Sequence, residues 1–342
     1  MSDPVLVEVL RGMLVESRHR GAVAVVDADG TTMLALGDVR VPVFPRSAVK
    51  ALQALVLIET GAADKFGLGD EELALACSSH SGEPGHVVRV QGMLAKAGLD
   101  VSALACGTHW PASEAATTAL ARTGEPSALH NNCSGKHAGF LCVACALGVE
   151  TEGYERAEHP VQREVKAALE DVCGESLGDG RRGTDGCSIP TYAMPLKSLA
   201  RGFARMGTGQ GFGAIRAAAV KKLFAAIAAH PVYVAGADRF DTEVMTLLAG
   251  RSITKTGAEG VFCAALPELG LGLAVKADDG ATRAAEAMIA ALIARFLPMD
   301  DATQAEFARF LRRPLTNWRG MEVGELRVAG PLAVANAFKQ AP

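Results

Sequence analysis

The sequence predicts an α+β fold: an antiparallel sheet built from both chain ends and flanked by helices, with a helical region inserted between them. Three observations carry this. Strand-type runs come in pairs near each terminus. The runs in the middle of the chain have helical periodicity instead. Gly- and Pro-rich turns separate one run from the next. The 342 residues read as a single domain, with a sheet lobe over residues 1–65 and 240–342 and a helical lobe over 66–239.

Residues 22–27 (AVAVVD) and 31–36 (TTMLAL) are β-type runs around Ala28-Asp29-Gly30, a hairpin signal. The late pair is 261–266 and 271–275, joined through Pro267-Glu268-Leu269-Gly270. Residues 281–297 are Ala-rich with apolar periodicity and follow Asp278-Asp279-Gly280, which predicts a helix. Residues 322–328 read as a further short strand. Between the ends, helices are expected over 71–78, 87–97, 114–122, 136–147, 160–172, 195–205 and 215–229. The Gly/Arg-rich stretch 178–183 reads as a mobile loop.

Composition narrows the function classes. Lys+Arg is 34 and Asp+Glu 38, a formal charge of −4, so nothing draws the chain to nucleic acid or an anionic membrane. Apolar residues make up 49 %, enough for a large core, but aromatics only 5 %. Ala, Val and Leu must therefore fill that core, and stacking platforms for bases or sugars are scarce. The start MSDPVLVEVLRG has no basic region and no long apolar run, so it does not read as a secretory signal. The apolar run 287–294 is far short of the ~20 residues of a membrane helix. A cytoplasmic location is the expectation. The cysteines at 77, 106, 133, 142, 145, 173, 187 and 263 are then free thiols or metal ligands rather than a disulfide framework.

Four segments concentrate chemistry. In Pro45-Arg46-Ser47-Ala48-Val49-Lys50, Ser47 stands at a helix start with Lys50 one turn on. A serine hydroxyl needs a base, and a lysine serves only if burial or nearby positive charge lowers its pKa. Alone, so short a pattern most often marks an N-cap serine ahead of an exposed lysine. Lys255-Thr256-Gly257 precedes a strand; a Lys-Thr-Gly on a sheet edge partners Ser-x-x-Lys in serine β-lactamases and penicillin-binding proteins. Their third element, Ser-Asp-Asn, is absent. Cys77-Ser78-Ser79-His80-Ser81-Gly82-Glu83 stands in the helical region instead, and by itself reads equally well as a helix C-cap. In Leu129-His130-Asn131-Asn132-Cys133-Ser134-Gly135-Lys136-His137, residues 133, 136 and 137 share a helix face. With Cys187 of Thr184-Asp185-Gly186-Cys187, spacing alone picks Cys133, His137 and Cys187 as zinc-type ligands, against the plainer reading of two small core cysteines. Cys142-Val143-Ala144-Cys145 lies in an apolar helix and reads as core.

Taken together, RSAVK, CSSHSGE, HNNCSGKHAGFL, TDGCSIP and KTGAEGVFCAAL resemble the rhizobial-type (class 3) L-asparaginases over residues 5–335. The resemblance implies a fold similar to serine β-lactamases and glutaminases, and hydrolysis of L-asparagine to L-aspartate and ammonia. It implies two Ser–Lys pairs at one site, Ser47 with Lys50 and Ser79 with Lys255. It implies a zinc ion held by Cys133, Lys136 and Cys187, which puts Lys136 where spacing put His137. Arg46, His80, Glu83 and Asp185 become the implied substrate contacts, Asp185 near the metal, and a homodimer the implied assembly. Ser47 is the expected nucleophile, with the serines' roles exchangeable. The competing expectations are a serine hydrolase of β-lactams or esters, a zinc-hydroxide amidase, and a binding protein that senses asparagine.

Overall fold

The computed structural model describes residues 2–337. Their contacts divide the chain into two compact units. One holds the chain up to Ala48, Met194–Arg205 and everything from Thr254 on; the other holds Val49–Ala193 and Met206–Ile253. In chain order the strands are β1 (Val5–Arg11), β2 (Leu14–Asp27), β3 (Thr32–Leu36), β4 (Pro42–Val43), β5 (Arg182–Thr184), β6 (Pro190–Tyr192), β7 (Met194–Pro195), β8 (Ile253–Thr256), β9 (Val261–Leu266), β10 (Leu271–Ala277), β11 (Arg312–Thr316) and β12 (Glu322–Val328).

The first unit is built on an antiparallel sheet of order β11-β12-β1-β2-β10-β9-β8, with β3 paired to β2. Strands from the two chain ends meet where β2 pairs with β10, from Asp27 opposite Leu271 to Gly21 opposite Ala277. Burial along β2 explains its composition. Its first half alternates between wet and dry residues, whereas 21–26 (GAVAVV) is buried throughout, as is all of β9. Helix Thr282–Phe296 covers the sheet at β9 and β10 and buries nine of its side chains from Ala284 to Ile293. Its alanines let it lie close, which suits a core short of aromatics.

The hairpins expected at 22–36 and 261–275 are β2–β3 and β9–β10, and the expected helices are all present within a few residues. Three readings need correction. Ser47 and Lys50 do not share the start of one helix: Ser47 lies in a 3₁₀ turn, and Lys50 opens the short helix Lys50–Gln53, which is joined at Ala54 to Leu55–Glu59, where Leu57 N–H bonds to Ala54 O in a tighter i→i+3 turn. The stretch 178–183 is not a loop throughout: a 3₁₀ turn at Asp179–Arg181 leads into β5, which pairs with β6 from Arg182 opposite Tyr192. Strands β1, β8 and β11 and helices Phe240–Leu248 and Asp301–Leu311 are additional.

The second unit is helical. Its centre is helix Ser134–Leu147, buried on every side from Ser134 to Ala144 and packed against Pro84–Lys96 and Asp70–Ala76. Gly135 makes that approach possible, since a Cβ there would strike the carbonyl oxygen of Leu75. This contact brings the start of one helix beside the end of another, and the polar motifs of the sequence sit at those two ends.

Candidate active site

Lys50 opens its helix and is only 1 % exposed. Its Nζ donates to Ser78 O at 2.5 Å, to Ser79 Oγ at 3.0 Å and toward Asn132 O at 3.5 Å. The acceptors are delivered by the helix ends just described. Helix Asp70–Ala76 stops at Cys77, and Ser79 N–H then bonds to Val234 O while His80 N–H bonds to Asn132 O. Burial pulls the Lys50 ammonium down from its ordinary value, opposed by Cys133 and reinforced by Lys136. A buried lysine with a lowered pKa in hydrogen-bond reach of a serine hydroxyl becomes, once it gives up a proton, the base a serine nucleophile requires.

A second cluster adjoins it. Lys136 Nζ donates to Cys187 Sγ at 2.9 Å. A hydrogen bond from Cys187, joined by the positive fields of Lys136 and Lys50, holds the Cys133 thiol well below the usual range, and Cys187 is pushed up in turn. Burial works against the Lys136 ammonium, but Cys133 and Cys187 outweigh it and raise its pKa. Cys187 is presented by the β5–β6 turn, in which Asp185 N–H bonds to Ile189 O and Ser188 adopts φ +78°. His137 faces elsewhere: its Nδ1 lies 2.6 Å from Tyr154 Oη. Tyr154 Oη in turn accepts from Ala105 N–H, so the phenol O–H is left to donate to His137. Among the described residues no three His, Cys, Asp or Glu side chains form a metal group. The two thiols and, only after its ammonium has given up a proton, the Lys136 amine offer S and N donors of the kind zinc takes.

Ser47 lies half-buried in the 3₁₀ turn Arg46–Val49. Arg46 precedes it at φ +51°, the left-handed region that costs an arginine about 1 kcal/mol or more and is found at functional sites. Gly257 is required beside this turn, because a Cβ there would come within 2.6 Å of Pro45 O and 3.2 Å of Ala48 N. The Lys-Thr-Gly segment ending β8 therefore lies directly against the backbone that carries Ser47. Lys255 is 2 % exposed, and its Nζ donates to Thr256 O at 2.8 Å. Ser47 and Lys255 belong to the first unit, Lys50 and Ser79 to the second. The amine–hydroxyl contact inside the second unit pairs Lys50 with Ser79.

Residues 7–328 match the model of the L-asparaginase II family. The chain belongs to this family. Membership makes it an amidohydrolase acting on a small molecule, and it supports L-asparagine hydrolysis. No curated protein matches the chain. Among solved structures it is similar to a β-lactamase from Mycobacterium bovis, at 15 % identity, a TM-score of 0.38, and 85 % of this chain against 94 % of that one. It is also similar to simvastatin synthase from Aspergillus terreus, at 12 % identity, a TM-score of 0.31, and 85 % against 90 %. Among the described residues no helix is long and apolar enough to cross a membrane.

His80, Glu83 and Asp185, three of the implied substrate contacts, each have definite partners. His80 is fully buried: Gly82 N–H bonds to its Nδ1, so its Nε2–H donates to Ser134 Oγ at 2.8 Å. Glu83 caps helix Pro84–Lys96, and its Oε1 accepts from Ala237 N–H at 3.1 Å. Asp185 Oδ1 accepts from Gly186 N–H at 2.6 Å. Sequence reasoning missed the carbonyls of Ser78 and Asn132, which grip Lys50, and the hydroxyls of Ser134 and Tyr154, which fix two imidazoles. Tyr154 lies in a turn-rich stretch with no periodicity to mark it.

His80 stacks on His86 at 4.9 Å, and burial lowers the pKa of both. In the unfolded chain both take a proton near pH 6.5; in the folded one they resist it. The unfolded state therefore binds more protons below that pH. The melting temperature is expected to fall as pH drops from about 7 to about 5. His86→Gln should flatten the slope in a pH series of thermal melts.

Proposed function

We propose that the chain hydrolyses L-asparagine to L-aspartate and ammonia through a serine-bound acyl intermediate. Ser47 Oγ attacks the side-chain amide carbon and its proton passes to Lys50. The C–N bond breaks as the nitrogen takes a proton and leaves as ammonia. Water then attacks the ester, returning the serine hydroxyl and aspartate. Ser79, hydrogen-bonded to Lys50, relays protons, with Lys255 as its partner amine. The observation that carries this reading is Lys50: a lysine removed from solvent, depressed in pKa, with Nζ 3.0 Å from Ser79 Oγ, the hydroxyl proposed to relay its proton. Arg46, His80, Glu83 and Asp185 position the substrate. The test is one coupled assay for ammonia with asparagine, glutamine and nitrocefin side by side. Ammonia from asparagine and no nitrocefin cleavage supports the reading. Nitrocefin cleavage without ammonia release moves the activity to β-lactams, and binding without turnover makes the chain a sensor.

Cys133, Lys136 and Cys187 would hold a zinc ion, which when bound supplies a fixed positive charge for the amino-acid end of the substrate. These residues then orient substrate rather than perform the chemical step. Chelation is expected to raise KM several-fold with kcat nearly constant, measured before and after zinc is added back. A collapse of kcat at constant KM would contradict the orienting role. The proposed location is the cytoplasm and the proposed assembly a homodimer.

A further inference from the structure

Segment 105–112 carries none of the motifs picked out in the sequence, yet it is tied to two of them, all within the second unit. Asn131 Nδ2 donates to Cys106 O at 2.8 Å and to Gly107 O at 3.1 Å. Asn132 N–H donates to His109 Nε2 at 2.9 Å. Ala112 N–H bonds to Ser81 O at 2.9 Å. His109 is half-buried, and both of its ring nitrogens are in use, since Nδ1 lies 2.6 Å from Trp110 O. A carbonyl only accepts, so Nδ1 carries the hydrogen and Nε2 presents its lone pair, as the Asn132 N–H requires. Two backbone groups thus set the tautomer. Asn132 is held on its other side as well. Its carbonyl accepts from His80 N–H at 3.2 Å and faces the Lys50 ammonium at 3.5 Å. Asn131 stiffens the same turn: its Oδ1 accepts from Cys133 N–H at 2.9 Å and its backbone O from Ser134 N–H at 2.9 Å.

We propose that His109 is a positioning residue for proton transfer between Lys50 and Ser79, acting through the backbone of Asn132; this rests on the serine–lysine reading above. His109 touches neither the amine nor the hydroxyl. It holds the N–H side of Asn132, and so fixes the direction of the carbonyl on the other side. That carbonyl faces Lys50 and also anchors the N–H of His80, the residue that follows Ser79. One backbone group therefore borders both partners of the 3.0 Å contact between Lys50 Nζ and Ser79 Oγ. With the His109 acceptor gone, the Asn132 peptide is free to turn toward another acceptor, and a misplacement of about 1 Å at reacting groups costs up to about 10²-fold in rate. Substrate binding is not expected to follow. The His80 imidazole keeps its own partners, Gly82 N–H and Ser134 Oγ.

The test is steady-state ammonia release from asparagine by the full chain and three variants, each with a thermal melt. His109→Gln keeps an acceptor for the Asn132 N–H once its amide is turned. His109→Asn keeps a donor for Trp110 O but falls short of Asn132. His109→Phe keeps only the ring. The asparagine and phenylalanine variants are expected to lose about 10- to 100-fold in kcat with KM within about twofold of wild type. The glutamine variant is expected to stay within about threefold in both constants. One hydrogen bond lost at a half-buried position should leave every melting temperature within about 4 °C of wild type. Equal losses in all three variants, or a loss of kcat matched by a rise in KM or a collapse of the melt, overturn the assignment in favour of a merely structural bond. Wild-type kcat in His109→Asn and His109→Phe overturns it while leaving the serine–lysine reading standing. A wild type that releases no ammonia from asparagine overturns both.

Discussion

Ser47→Ala is expected to lower kcat for asparagine by about 10⁴-fold or more, with the melting temperature almost unchanged. The two halves of that expectation have separate physical grounds. Ser47 is half-buried, so the residue keeps some contact with solvent. It follows Arg46 at φ +51°, and the Lys255-Thr256-Gly257 segment is pressed against its turn. Alanine fits the same 3₁₀ turn and leaves these backbone contacts intact. What is lost is the oxygen, and a reaction that depends on a covalent ester has no substitute for it. Steady-state ammonia release and a thermal melt on the same preparation check it. A folded variant that retains turnover within tenfold of wild type would transfer the nucleophile's role to Ser79, the hydroxyl that Lys50 touches.

Lys50→Met is expected to cost about 10²- to 10⁴-fold in kcat, the usual range for losing a general base. Methionine keeps much of the length and the apolar stem. It removes the donor shared by Ser78 O, Ser79 Oγ and Asn132 O, which should cost about 1–3 kcal/mol for acceptors left buried. Against this, the folded state no longer buries an amine. A modest fall in melting temperature with a large fall in rate is therefore expected. Lys50→Arg sharpens the comparison. A guanidinium can restore hydrogen bonds to the carbonyls but cannot shed its proton near neutral pH. Stability recovered in the arginine variant without recovery of rate separates the proton-transfer role from the structural one. Recovery of both would mean that Lys50 only holds the loops together.

Much of the architecture was legible in the sequence, and the misses have definite causes. The hairpins ending at Gly30 and Gly270 were marked by turn residues and apolar runs on either side. β1 was missed because its VLVEVLR run leads into Arg11-Gly12-Met13, which is no standard hairpin signal. β11 reads Arg-Arg-Pro-Leu-Thr, too polar and proline-broken to register as a strand, because it is an edge. The site was legible as motifs and not as contacts. Counting along a helix face from Cys133 favoured His137 over Lys136. Cys133 is in fact the N-cap, Lys136 reaches Cys187, and His137 turns to Tyr154. The carbonyls that hold Lys50 belong to the backbone of Ser78 and Asn132, and a backbone acceptor has no signature in residue type.

The most direct test of the central claim is mass spectrometry of the intact chain, quenched during turnover of asparagine, followed by peptide mapping. The account predicts a transient gain of one aspartyl group on the peptide containing Ser47, absent from Ser47→Ala and accumulating in variants whose deacylation is slowed. Steady ammonia release with no acylated species on any serine, even in slowed variants, would contradict it.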